Sequence, residues 1–342
     1  MAVLLVAAVT LAGLEMGLRV AMPGWNEYFS GRFMTQISYP GYPNTSLGRP
    51  GFDGYFSQNN GDFRSHIHIN EFGLRNDESV AAADGRVWVL GDSFSFGWGV
   101  ERDETYTALL ARFLDRPTYN IASPGSGVCA WQTLTARMPK DARPLAVVVG
   151  LTVENRVGPM DCAAEARLAA GAVQEEPRAL GVTALKMYMT EHLALYNFFT
   201  VVLKRIDLAA VVLEKLGVIN DARLVDFHNT TPETLMSGLS STATELVRLR
   251  AMLPPDTPFV VAVIPTRFEV RDDLGFHRDL RLGVEAEMAK QGIDYVDMID
   301  VFKAAGHDAT SFPHDGHWTP RGHAIAARAI ADWMIGHGKT PG

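Results

Sequence analysis

Val87-Trp88-Val89-Leu90-Gly91-Asp92-Ser93-Phe94 is the stretch on which the reading of this chain turns. Its four consecutive apolar residues, two of them β-branched and one aromatic, predict a buried strand, and the glycine and aspartate that follow end it. A serine therefore stands at the strand's carboxyl edge. In an open parallel α/β sheet that edge is where ligands bind, and the amides that open the next helical turn stabilise an anion there. Two readings compete: Asp92 and Ser93 cap a helix, as such residues commonly do, or Ser93 is a nucleophile.

The second reading gains from His314-Asp315-Gly316-His317-Trp318-Thr319-Pro320-Arg321-Gly322-His323 near the C-terminus. A serine hydroxyl is a poor nucleophile at neutral pH unless an imidazole takes its proton, and the imidazole acts best when a carboxylate fixes its tautomer. Asp315 and His317 supply that pair. The chain order Ser, Asp, His is one of several that build the same geometry. His314 and His323 are rival bases. His317 is preferred, because a carboxylate stands beside it in sequence, while His323 falls in the first turn of the next helix.

Further blocks lie between these two. Asn120-Ile121-Ala122-Ser123-Pro124-Gly125 follows a short strand, and Asn155 follows the apolar run Leu145 to Leu151. Together with Gly91-Asp92-Ser93-Phe94 and Asp315-Gly316-His317-Trp318, these blocks resemble the SGNH (GDSL-type) esterases and acyltransferases. The likeness is greatest to their bacterial membrane-anchored, extracytoplasmic branch and runs from about residue 60 to residue 335. It implies a catalytic Ser93, Asp315 and His317, with an oxyanion hole made by the amides of Ser93 and Gly125 and the side chain of Asn155; such donors typically contribute ~10²–10³ each in rate. It also implies acyl, above all acetyl, esters of cell-envelope glycans as substrates. Two departures stand out. The family's Gly-x-Asn-Asp reads Thr152-Val153-Glu154-Asn155-Arg156 here, and Asp315 lies two residues before His317 where many relatives have three. The tighter spacing also occurs in relatives that move acetyl groups on exopolysaccharides. The altered Asn155 block keeps an alternative open: a weakly active or inactive SGNH-fold structural subunit that binds a membrane protein complex.

The other apolar runs complete the fold class. Tyr119 to Ala122, Leu145 to Leu151, Pro258 to Pro265 and Tyr295 to Ile299 read as strands, separated by helical patterns such as Asp103 to Leu114, Thr231 to about Met252, and Leu280 to Gln291. Continuous apolar runs fit strands covered on both faces. Alternation with helices implies right-handed crossovers and a three-layer α/β/α sandwich with a parallel, flavodoxin-like sheet, plus an N-terminal hydrophobic helix. Three parts are expected: a membrane anchor or signal-anchor helix over 1–22, a β-hairpin and loop lead-in over 23–82, and the SGNH-like domain over 83–338 with a helical insertion around 160–230. In that insertion, Leu193 to Leu203 is apolar at helical spacing, which reads as core or cap helices or as a face for membrane, acyl chain or partner. The lead-in holds Ser65 to Ile69 as a hairpin strand and Phe72-Gly73-Leu74-Arg75, a segment similar to one in the same branch of the family.

Composition narrows the function. A net charge of −8 over 342 residues argues against a general nucleic-acid binder, and 47 % hydrophobic residues suffice for a large core. Ala2 to Leu14 is strongly apolar, interrupted later by Glu15 and Arg19. An anchor is favoured over a cleaved signal peptide, because no small-x-small site leads into a mature start. The expected location is the bacterial inner membrane, with one N-terminal span and the domain on the periplasmic side. An acidic residue within such a span hints at contact with another membrane protein. Neither cofactor nor metal is expected. Gly125-x-Gly127-x-x-Ala130 matches a dinucleotide fingerprint loosely, but it follows the second strand and no acidic residue ends the next one. His66, His68 and Asp62 are candidate metal ligands without a further partner, and alternating histidines on a strand ordinarily face solvent. Cys129 and Cys162 are either a disulfide or two buried thiols. Arg267, at a strand's carboxyl edge, meets an anionic substrate or forms an ordinary salt bridge.

Overall fold

The computed structural model describes residues 1–58, 61–172, 182–203, 212, 215, 232–273 and 275–339. The first element is the 20-residue helix α1 (Ala2–Ala21), of which no residue is buried. Its mean hydropathy of 1.9 and its length suffice to cross a membrane. Two antiparallel hairpins follow, β1 (Met34–Tyr39) with β2 (Tyr42–Gly48), and β3 (Asp53–Ser57) with β4 (Arg64–His68). The sequence signalled only the second of them. In β1 and β2 apolar positions are few, and most of those in β1 are half-buried, so their alternation is faint.

The core is one parallel sheet of five strands, all of which the apolar runs had marked: β5 (Val87–Gly91), β6 (Thr118–Asn120), β7 (Ala146–Thr152), β8 (Phe259–Ile264) and β9 (Asp294–Asp297), in spatial order β6-β5-β7-β8-β9. Because side chains alternate along a strand, each strand feeds both layers. Trp88, Leu90, Val147, Val149 and Leu151 pack on one side with Trp131, Leu134, Leu246 and Leu249. Val87, Val89, Val148, Val260 and Ala262 pack on the other with Leu110, Ala327 and Ile330. The result is the three-layer α/β/α sandwich. Full burial of each such aliphatic side chain contributes about 1.5–3 kcal/mol.

Strand order positions the site. β5 is first in the sheet's sequence, yet β6 lies on one side of it and β7 on the other, so the chain reverses direction across the sheet at β5. The crevice at such a switch point is where doubly wound folds bind ligands. Three short helices open there: α2 (Ser93–Phe96) after β5, α4 (Val128–Arg137) after β6 and α5 (Val153–Arg156) after β7; α3 (Tyr106–Leu114) returns the chain from α2 to β6. Thr105 caps α3, accepting from the Ala108 amide at 3.1 Å, so the helix starts later than Asp103, and Arg102–Glu104 is a separate 3₁₀ turn. The helix expected from Thr231 to Met252 is two, Pro232–Ser237 and Leu239–Ala251. Gly238 marks the break, and a Cβ there would lie 1.9 Å from the Gly158 carbonyl carbon.

Of the insertion expected around 160–230, the described part comprises α6 (Cys162–Ala172), α7 (Val182–His192) and α8 (Ala194–Asn197), which continues as a π turn over Phe198–Val202. The rest of that segment lies outside the described residues. Cys129 and Cys162 form a disulfide, which ties the start of α4 to the start of α6.

Candidate active site

The turn that carries Ser93 begins with a glycine that has to be one. Gly91 has φ +150°, and a Cβ on it would stand 2.0 Å from Ser95 Oγ and 3.1 Å from the Gly150 carbonyl. Asp92, fully buried, then caps α2 by accepting from the Phe94 amide at 3.0 Å, so the capping reading of Asp92 is correct and does not compete with Ser93. The turn is held from behind by the buried Arg75 of the lead-in, whose guanidinium donates to the carbonyls of Phe96, Gly97 and Val100 at 3.2, 2.5 and 2.8 Å. Burial lowers the pKa of Arg75 to about 10, still well above neutrality.

Across the crevice, the segment between Ser311 and Thr319 brings His317 to Ser93. His317 Nε2 lies 2.7 Å from Ser93 Oγ, and its Nδ1 is hydrogen-bonded to Asp315 Oδ1. The segment folds back on itself, with the Phe312 amide donating to the His317 carbonyl at 2.8 Å and the Gly316 amide to Phe312 at 3.0 Å. Gly316 has φ +82°, and a Cβ there would meet Arg267 Nη1 at 2.6 Å, which explains a glycine between the aspartate and the histidine. Phe94 and Trp98 flank the imidazole with ring centroids 4.9 and 5.7 Å away.

Two supports of this segment gave no signal in the sequence as triad partners. Gln58 Nε2 donates to Asp315 Oδ2 at 2.9 Å. Asp62 accepts from the amides of His314 and Asp315 at 2.9 and 3.1 Å, and pairs with His314 Nδ1 at 2.6 Å. Asp62 is thus engaged by the triad segment, and His314 is engaged by Asp62. Among the described residues no group of three or more His, Cys, Asp or Glu is arranged to hold a metal. His66 and His68 both pair with Asp53, at 2.6 and 3.2 Å. His323 is buried, its Nδ1 accepts from the Tyr106 amide at 3.2 Å, and burial lowers its pKa to about 3, which keeps it neutral and structural.

Gly125, in the loop between β6 and α4, and Asn155, in α5 after β7, line one cleft of about 600 Å³ beside the β1–β2 hairpin. Gln36, Asn44, Ser46 and Glu165 add polar groups to its walls, and Asn155 is exposed in it. Ser46 fastens the hairpin to the Gly125 turn: its Oγ donates to the Pro124 carbonyl at 2.5 Å, and Ser123 Oγ donates to the Ser46 carbonyl at 2.7 Å. The departures around Asn155 are each paired. Arg156 Nε donates to Asp92 Oδ2 at 3.1 Å, and Glu154 pairs with Arg267 at 3.1 Å. The Asn155 block is therefore clamped between the turn that carries Ser93 and the helix Arg267–Asp272. Arg267 forms the salt bridge foreseen as its ordinary reading.

A family model described as SGNH hydrolase-like domain, acetyltransferase AlgX, matches residues 237–339. No curated protein matches the chain. Solved structures similar to it include a member of the lipolytic G-D-S-L family from Veillonella parvula, at 10 % identity and TM-score 0.40 over 73 % of this chain and 98 % of that one. Others are an acetylxylan esterase from Geobacillus stearothermophilus, at 12 % and 0.38 over 72 % and 93 %, and a carbohydrate esterase family 2 enzyme from Corynascus thermopiles, at 13 % and 0.40 over 74 % and 66 %. Over residues 237–339, which hold Asp315 and His317, the chain is thus similar to an SGNH hydrolase-like domain.

Proposed function

We propose that this chain is a serine esterase or O-acyltransferase acting on acyl esters, in the first place acetyl esters, of cell-envelope glycans. The observation that carries the reading is the imidazole of His317 bridging Ser93 Oγ and Asp315. As Ser93 Oγ attacks the ester carbonyl carbon, His317 Nε2 takes the hydroxyl proton, and Asp315 stabilises the imidazolium through Nδ1. The tetrahedral oxyanion is held by the Ser93 and Gly125 amides and the Asn155 side chain. The C–O bond to the leaving alcohol then breaks, that oxygen takes the proton from His317, and an acyl-Ser93 ester remains. Water or a sugar hydroxyl gives its proton to His317 and attacks the acyl carbon; the bond from that carbon to Ser93 Oγ breaks, and Oγ takes the proton back from His317. The polar cleft beside Gly125 and Asn155 suits a hydroxyl-rich acceptor, and the acetyltransferase description of the matching family favours acetyl.

Within this reading residues 1–22 anchor the protein in the inner membrane, residues 23–82 are the lead-in, and residues 83–338 form the catalytic domain on the periplasmic side. The Cys129–Cys162 disulfide agrees with an oxidising compartment, and α1 is long and apolar enough for the span. The test is labelling by a serine-directed fluorophosphonate, with release of acetate from an acetylated glycan measured alongside. Wild type is expected to label and turn over, and Ser93→Ala to do neither. A folded wild type that fails to label refutes the mechanism.

A further inference from the structure

Glu15 is the acidic residue that the sequence offered as a hint of another protein. Its partners lie in its own chain. Glu15 Oε1 and Oε2 accept from the amides of Ala194 and Leu195, each at 2.8 Å, and Arg19 Nε donates to Oε1 at 2.7 Å. Arg19 Nη2 in turn donates to the His192 carbonyl at 2.6 Å. The carboxylate is thus neutralised and hydrogen-bonded, the condition under which a charge is tolerated away from water. The same bonds fix the start of α8 to α1 at the level of Glu15.

That level decides what covers the apolar side of α8. Glu15 lies six residues before Ala21, about 9 Å along the helix axis from the end that joins the domain. Farther along α1, Leu11 and Ala12 share an apolar groove of about 480 Å³ with Leu193, Leu195, Tyr196 and Phe199. Leu11 is about 15 Å from the same end. Phe199 is 58 % exposed and Leu193 40 %. If α1 crosses a bilayer, a segment bound at this depth lies below the headgroup surface, where interfacial helices bury their apolar faces by about 5–10 Å. We propose that the segment Leu193–Leu203 is a second membrane contact, embedded beside α1 with Leu193, Tyr196 and Phe199 against lipid. It fixes the domain's tilt over the bilayer, which a single helix on a loop would leave free.

The inference rests on the spanning role of α1 given above, and its test separates the two. Both natural cysteines are in the disulfide, so nitroxide labels are placed singly on Val6→Cys, Leu193→Cys, Phe199→Cys and, as an aqueous control, Leu168→Cys on α6. All four positions are exposed in the isolated chain. The full chain is purified and reconstituted alone in phosphatidylethanolamine and phosphatidylglycerol vesicles, and collision with oxygen is compared with collision with a water-soluble nickel chelate. Labels at Val6, Leu193 and Phe199 are expected to favour oxygen, and the label at Leu168 the chelate. A lipid-buried Val6 with Leu193 and Phe199 open to the chelate overturns the embedded segment and leaves the anchor standing. An aqueous Val6 overturns both. Protection of Phe199 in native membranes but not in these vesicles assigns the groove to a protein and overturns the lipid reading.

Discussion

Arg156 stands where the SGNH pattern that the sequence resembles has an aspartate, and replacing it by aspartate is expected to damage both the fold and the proposed activity. Asp92 is 1 % exposed, Arg156 18 %, and they pair at 3.1 Å, while the second oxygen of Asp92 is already used by the Phe94 amide. Removing one partner of a buried pair ordinarily costs about 3–5 kcal/mol. Cleft water reaches Arg156, so the low end applies, about 3 kcal/mol, or roughly 4 °C in melting temperature for a chain of this length. Arg156→Asp is worse than Arg156→Ala, because a second carboxylate beside a buried one forces one of them to take a proton. The catalytic effect follows from position. Arg156 is the residue after Asn155, and releasing it from Asp92 frees the proposed oxyanion donor, whose loss would slow acylation by ~10²-fold or more. The assay is the rate of fluorophosphonate labelling alongside a thermal melt. A double-mutant cycle with Asp92→Asn isolates the pair, and Asp92→Asn is expected to relieve part of the damage caused by Arg156→Asp. If Arg156→Asp labels and melts like wild type, the clamp is not what holds Asn155.

Three other outcomes test the same picture. Gln58→Leu removes a hydrogen bond to Asp315, worth about 1.5–3 kcal/mol when the acceptor is charged, so kcat should fall at least tenfold with KM nearly unchanged. A parallel loss in melting temperature with unaltered kcat would make Gln58 merely structural. The buried Arg281 gathers Glu269, Glu285 and Asp297, and burial raises the Glu285 carboxyl to about 7. A carboxyl raised in the folded state holds its proton longer than in the unfolded chain, so this group's contribution to stability falls as pH rises from about 4.5 to 7. Glu285→Gln should flatten that slope in denaturant midpoints measured across the window, and an unchanged slope would show that other groups set it. Cys129→Ser opens a cross-link between residues 33 apart in sequence, for which loop entropy gives about 3–4 kcal/mol. Chemical denaturation with and without reductant reads the loss, and the reduced wild type should match the variant.

What the sequence discloses and what it hides divide along sequence distance. The five sheet strands are legible because each is a short apolar run that a two-sided cover demands, and the meeting of Ser93, Asp315 and His317 because a hydrogen-bonded trio of these types constrains which residues neighbour them. Arg156 could be marked as a departure but not explained, since its partner Asp92 is 64 residues away. Asp62 was visible only as a possible ligand, although it serves the triad segment more than 250 residues later. Glu15 drew notice as a charge in an apolar helix, and its acceptor role toward Ala194 and Leu195 has no local trace. The break at Gly238 follows from a backbone contact with Gly158, which periodicity does not register.

These hidden contacts change the status of the lead-in. Read as sequence, residues 23–82 connect an anchor to a catalytic domain. In the fold, Glu27 accepts from Ser57 Oγ at 2.7 Å, the next residue is Gln58, and Gln58 donates to Asp315 at 2.9 Å. From the same segment Arg75 holds the turn that carries Ser93 and Ser46 holds the Gly125 turn. Nucleophile, oxyanion loop and acid of the proposed site are thus each braced by a different part of the lead-in. A rigid brace preorganises donors that would otherwise reorient during the reaction, and such preorganisation is the larger part of electrostatic catalysis. The brace is also close in sequence to the end of α1, since only four residues lie between Met22 and Glu27. The end of α1 and Asp315 are therefore joined by a short path of chain and hydrogen bonds, and removing the segment before residue 83 would take away the supports of the proposed triad together with α1.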